Sequence, residues 1–112
     1  MDDRGEFAVE ETVEAGGEIR LRLTGELDQA TTGAFAHRID ELKRSGATVR
    51  LDLSALDFID SSGIRSLLVS IRDARRDHWD LEVDRDVSWQ VERVIDVLGI
   101  GSVLWPEDGA EA

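Results

Sequence analysis

The chain contains no cysteine, which excludes disulfides and thiolate metal sites. Such a composition suits the reducing cytoplasm, and a cytoplasmic location is expected. Basic residues are outnumbered: 13 Lys and Arg stand against 25 Asp and Glu, a formal net charge of −12. Phosphate binding needs a basic patch, so nucleic acid is excluded as an expected partner. The charge keeps a protein soluble and repels anionic membranes. Long hydrophobic runs are also missing. Leu67-Leu68-Val69 is far too short to span a bilayer, and the acidic start Met1-Asp2-Asp3-Arg4-Gly5-Glu6 lacks the apolar core of a signal peptide. No direct membrane insertion is expected. Catalytic motifs are absent as well: no Walker A, GxGxxG, GxSxG or HExxH occurs. His37 and His78 stand isolated, and His37 falls on the polar side of a helix as a solvated residue. Ser62 has carboxylates nearby but no histidine placed by sequence to take its proton. The chain is therefore read as no enzyme, with no cofactor and no metal site.

What is present suffices for one domain over residues 1–112, because 41% of the residues are apolar. Its core spans about residues 7–105, and the small, acidic stretch 106–112 reads as a flexible tail. Phe7, Val9 and Val13 alternate with polar positions as a half-buried strand. Glu11 breaks the pattern and suggests an edge. Glu14-Ala15-Gly16-Gly17 supplies a turn. Ile19, Leu21 and Leu23 alternate strictly with Arg20, Arg22 and Thr24, giving a strand with one wet face that pairs antiparallel with the first. Thr31 or Thr32 can cap a helix whose apolar stripe is Phe35, Ile39 and Leu42 and whose polar side pairs Asp40 with Arg44; Ser45-Gly46 ends it. Val49, Leu51 and Leu53 mark a third strand. Ile64, Leu67, Leu68 and Ile71 follow at i, i+3, i+4 and i+7, a helix signal, with Arg72, Arg75 and Arg76 favourable in its last turns. Leu81 and Val83 mark a fourth strand, and Val91, Val94, Ile95 and Leu98 a third helix stopped at Gly99. Val103-Leu104-Trp105 adds a short strand or simply packs. The order is β-β-α-β-α-β-α. Crossover helices make strands two, three and four parallel, with the first antiparallel beside them: an α/β fold with a mixed sheet.

The segment Asp60-Ser61-Ser62-Gly63 lies at the entry to the second helix. One reading is structural, since Asp and Ser accept orphan N–H bonds as N-caps and Gly63 allows close packing. The other uses the same geometry functionally. A helix N-terminus favours anions, and a phosphoryl group on a hydroxyl there brings a charge of about −2. With Asp28, Asp57 and Asp60 near, that charge would act on an already negative surface as a switch at an interface.

Gly25-Glu26-Leu27-Asp28, then Leu51-Asp52-Leu53-Ser54, then Phe58-Ile59-Asp60-Ser61-Ser62-Gly63, then Val91-Glu92-Arg93-Val94 through Leu98-Gly99-Ile100 form an ordered set. In that order and spacing they resemble the STAS domains, above all the bacterial anti-sigma factor antagonists, over about residues 7–105. The resemblance implies partner switching. The unphosphorylated antagonist binds an anti-sigma factor that is also a serine kinase of the histidine-kinase-like ATPase type, and the sigma factor is freed for transcription. Phosphorylation reverses binding, and a PP2C-type phosphatase resets it. The acceptor position maps to Ser62, with Ser61 as cap, neighbour or second choice. Asp28, Asp60, Ser61, Gly63 and Arg65 map to partner binding, Arg65 as the residue that would border a phosphate. The sequence departs from the pattern at Arg65-Ser66, at Asp77-His78-Trp79-Asp80 in place of a glycine-rich turn, and at Trp89. Exposed, Trp79 and Trp89 would be partner contacts; the reading adopted is that both pack against the sheet edge. The alternative function is a STAS docking subunit of another assembly, a stressosome-type scaffold or a lipid-transport ABC system, without a phosphoswitch.

Overall fold

The computed structural model describes residues 6–106. β1 (Ala8–Val13) pairs antiparallel with β2 (Ile19–Leu27), matching Val9 to Leu23 and Glu11 to Leu21. β3 (Val49–Asp52) runs parallel to the first half of β2, and β5 (Leu81–Val83) runs parallel to β3. The α/β class and the mixed, mostly parallel sheet are as expected, and the order gains two short elements. Leu56–Ile59 is a strand, β4, parallel to the end of β2. Gly101–Leu104 is a helical turn, α4, where a strand or plain packing was expected. The expectation of a flexible tail falls on residues 107–112, outside the described residues; Pro106 is exposed.

Alternation decides which face is buried. Leu21, Leu23, Leu51 and Val83 point into the core at 5% exposure or less. There they meet Phe35, Ile39 and Leu42 of α1 (Thr32–Ser45) and Ile64, Leu67 and Ile71 of α2 (Ser61–Arg76). Removing each such side chain from water contributes about 2 kcal/mol. The opposite face aligns Arg20, Arg50 and Glu82 in register. Arg20 donates to Glu14 at 2.9 Å, Asp84 at 2.9 Å and Asp52 at 3.3 Å, joining β2 to the ends of β3 and β5. Asp52 also accepts the Ser54 N–H at 2.9 Å and hydroxyl at 2.6 Å. That closes the turn which launches β4.

Helix ends follow their local chemistry, with one exception. Thr31 occupies the N-cap position of α1, but its side chain does not cap the helix. Its hydroxyl donates to the Glu26 carbonyl at 2.8 Å and accepts the Asp28 N–H at 2.9 Å, so the preceding loop has captured it. At the end of α2 the N–H groups of His78 and Trp79 return to the carbonyls of Arg75 and Ala74. His78, at φ 57°, takes the left-handed place that glycine usually fills. The indole of Trp79 donates to the Ala47 carbonyl at 2.7 Å and packs on the core, as expected. Trp89 does not pack against the sheet edge. It opens α3 (Trp89–Leu98) at 68% exposure, because Val91 and Ile95 define that helix's buried face.

Candidate functional site

β2 ends in a bulge at Gly25, whose φ of 82° few other residues adopt. Beyond it, Leu27 pairs with Ile59 of β4. The chain then leaves the sheet at two adjacent points: Asp28 begins one loop, and Asp60 begins α2. The Asp60 N–H donates to the Leu27 carbonyl at 3.2 Å. Parallel pairing thus brings together two motifs far apart in the sequence.

Asp60 is the N-cap of α2, not Ser61. One carboxylate oxygen accepts the Gly63 N–H at 2.8 Å, and the other accepts the Gln29 N–H at 3.3 Å. A single side chain therefore satisfies an orphan helix donor and holds the Asp28 loop. Asp28 folds onto its own loop: its Oδ1 accepts the Ala30 N–H at 3.0 Å and lies 3.2 Å from the Thr31 hydroxyl oxygen. Gly63 is buried, and a Cβ there would stand 2.3 Å from the Leu27 carbonyl oxygen and 2.7 Å from Cγ1 of Ile59. The helix can approach the strand only because position 63 has no side chain.

Ser61 is exposed and Ser62 half-buried at the first two positions of α2. The Ile64 N–H is bonded to the Asp60 carbonyl at 2.9 Å. The Ser61 and Ser62 N–H groups have no partner among the described residues. Arg65, exposed one turn further on, is spaced to reach the side of the helix that Ser61 and Ser62 occupy. Asp57 is exposed on β4. The predicted residues Asp28, Asp60, Ser61 and Ser62 thus lie together, with Gly63 buried beneath them and Arg65 on the flank. His37 lies outside it, exposed on α1 and 3.6 Å from Glu41.

A second feature escaped the reading of the sequence. Beside the cap lies a mainly apolar groove of about 340 Å³. Ile59, Ser61 and Ile64 line one side, and Arg93, Val94, Val97 and Leu98 of α3 the other. Ser88 sets this spacing: its hydroxyl donates to the Leu56 carbonyl at 2.6 Å and accepts the Val91 N–H at 3.3 Å. The available signal was composition. Apolar residues at 89, 91, 94, 95, 97 and 98 wrap further around α3 than one buried stripe requires. Among the described residues no helix is long and apolar enough to cross a membrane.

Fold and site define a small α/β domain that presents two serines on a helix N-terminus clamped to a neighbouring loop. A family model described as "Mlab, STAS domain" matches residues 11–105, and the chain belongs to the STAS family. Solved structures of similar fold include the anti-sigma factor antagonist SpoIIAA in its unphosphorylated form, at 21% identity and TM-score 0.62, with 84% of each chain covered. The Bacillus cell fate determinant SpoIIAA in its phosphorylated form has 23% identity and TM-score 0.63, covering 84% of this chain and 86% of that one. An anti-sigma factor antagonist from Mycobacterium paratuberculosis has 17% identity and TM-score 0.68, covering 89% and 84%. At these identities the likeness is one of fold. No curated protein matches the chain.

Proposed function

We propose that this protein is a cytoplasmic anti-sigma factor antagonist controlled by phosphorylation of Ser62. Unphosphorylated, it binds an anti-sigma factor that is also a serine kinase of the histidine-kinase-like ATPase type, and the sigma factor is freed. Phosphate on Ser62 ends binding, and a PP2C-type phosphatase restores it. The observation that carries this reading is the Asp60 clamp. It leaves the Ser61 and Ser62 N–H groups unpartnered at a helix N-terminus, where an anion is tolerated without refolding. The new charge would then be felt mainly by a docked partner, beside Asp28, Asp57 and Asp60. The solved antagonist of similar fold in both phosphorylation states supports the reading.

The test is incubation with the purified anti-sigma kinase of the source organism and ATP. One phosphate on Ser62 is expected, with none on Ser62→Ala. Labelling at another residue, or undiminished labelling of Ser62→Ala, removes the site assignment. Membership of the STAS family also accommodates a second reading, in which the domain is a constitutive docking subunit of another assembly, a stressosome-type scaffold or a lipid-transport ABC system, and the serines only begin the helix. Co-purification with an ATPase subunit, unaffected by Ser62→Asp, would favour it.

A further inference from the structure

We propose that the free edge of β5 takes up an extended acidic peptide segment as a parallel strand. The site shares no residue with the serine cap, and the inference does not depend on the phosphoswitch. β5 ends the sheet order β1-β2-β3-β5, so one side of it has no strand neighbour. Its inner side is fixed by hydrogen bonds to β3. The Val49 N–H donates to the Asp80 carbonyl at 3.0 Å, and the Asp84 N–H donates to the Leu51 carbonyl at 2.8 Å. Backbone groups alternate along a strand, so those of Leu81 and Val83 point outward. Two of these groups are taken. The Leu81 N–H donates to the Trp79 carbonyl at 3.1 Å, and the Trp105 indole donates to the Val83 carbonyl at 2.9 Å. The Leu81 carbonyl and the Val83 N–H have no partner among the described residues.

The groups left open select the direction of the added chain. In a parallel pair, one residue donates to the residue before its opposite number and accepts from the residue after it. A residue set opposite Glu82 therefore meets the Leu81 carbonyl and the Val83 N–H together. An antiparallel neighbour needs both groups of Leu81 or both of Val83, and one of each is already used. That rules out antiparallel edge-to-edge pairing of two copies of this chain about an axis perpendicular to the sheet. What remains is strand addition by a parallel segment, with main-chain bonds for affinity and side-chain contacts for selectivity.

Charge sets the chemistry of the segment. A cavity of about 560 Å³ follows this edge, with Leu81, Val83 and Ile71 as apolar lining and Arg50, Arg75 and Arg85 around it. Glu82 and Asp84 also line it, but each is paired within the chain. Arg50 stands 3.7 Å from Glu82, and Arg20 donates to Asp84 at 2.9 Å. Arg75 has no carboxylate partner among the described residues; its guanidinium donates to the Val103 carbonyl and has further N–H groups to offer. Three arginines at one cavity, in a chain of net charge −12, complement an acidic ligand. Residues opposite one another in a sheet share a face. The central residue of the segment lies beside Glu82 on the open face, where a carboxylate is disfavoured. Its two neighbours point to the helix side, toward Ile71 and Arg75 of α2, where a carboxylate gains a charge-assisted hydrogen bond.

The test is titration of the isotope-labelled chain with the N-acetylated, C-amidated pentapeptide Val-Glu-Thr-Glu-Val, followed by amide chemical shifts. A saturable shift of the Val83 amide is expected. Two altered peptides should bind about tenfold more weakly or worse. One has proline in place of threonine and so no N–H for the Leu81 carbonyl; the other has lysine in place of both glutamates. Arg75→Gln should weaken binding by a similar factor, about tenfold, and an unchanged thermal midpoint verifies its folding. No shift at Val83 at low-millimolar peptide overturns the inference. Equal binding of the lysine peptide, or undiminished binding by Arg75→Gln, does the same. Equal binding of the proline peptide, or of free glutarate, assigns the cavity to a diffusible anion and also overturns it. None of these outcomes bears on the assignment of Ser62.

Discussion

Gly63 and the carbonyl of Leu27 are packed so closely that a Cβ at position 63 would stand 2.3 Å from the oxygen. Backbone cannot yield as a flexible side chain can, so Gly63→Ala must push α2 off the end of β2. The expected loss is about 1–3 kcal/mol of stability, the usual range for overpacking. Urea unfolding measures it, and a loss within error of zero would show that the helix start moves freely.

Asp60 joins two backbone N–H groups, and its removal should release both. Asp60→Ala is expected to cost about 1 kcal/mol, the usual worth of an N-cap. Amide hydrogen exchange gives the sharper readout. Protection should fall at Gly63 and at Gln29, in a loop 31 residues away in sequence. Loss at Gly63 alone would mean that the clamp does not hold the Asp28 loop.

If Ser62 carries the switch, its charge and not its shape decides binding. Ser62→Asp should weaken binding of the anti-sigma kinase by at least about tenfold, or about 1.4 kcal/mol, while Ser62→Ala binds like the wild type. Equal affinity of the two variants in calorimetry would sink the charge-switch account.

Asp52 should contribute to the acid limb of stability. Burial pushes its carboxyl up, but hydrogen bonds from Ser54 and Arg20 outweigh burial and hold it below the usual aspartate value. A carboxyl depressed by folding stabilises the protein above the unfolded value, about 3.9, and that contribution is lost as pH falls through the folded one. Asp52→Asn should therefore be less stable than wild type at neutral pH. The gap should narrow below about pH 4. A gap constant from neutral to acid pH would contradict this assignment.

His78 holds a left-handed conformation that a side chain disfavours. His78→Gly should raise stability by about 0.5–1 kcal/mol, the relief at φ 57° being partly offset by a freer unfolded chain. A lowered thermal midpoint would show that the imidazole makes a contact worth more than the strain.

Much of the fold was legible because burial leaves a period in the sequence. Leu21 and Leu23 alternate, Phe35, Ile39 and Leu42 recur at helical spacing, and both patterns name their buried face. β4 was not legible. Its burial pattern leaves Asp57 and Phe58 both exposed between Leu56 and Ile59, so no alternation marks it as a strand. Packing of Trp89 against the sheet edge is the expectation that fails, because only the docked position of α3 turns this residue to solvent.

The same division holds for the cap. Asp60-Ser61-Ser62-Gly63, by residue type alone, determined that a helix would begin there, because these side chains satisfy orphan N–H groups. Which residue caps, and what else it holds, was decided by the tertiary structure. Parallel pairing of Leu27 with Ile59 sets the Gln29 N–H within reach of Asp60, and Ser88 fixes α3 across from Ser61. Such contacts depend on strand register and helix docking, and these are set by the packed core rather than by any local stretch of chain.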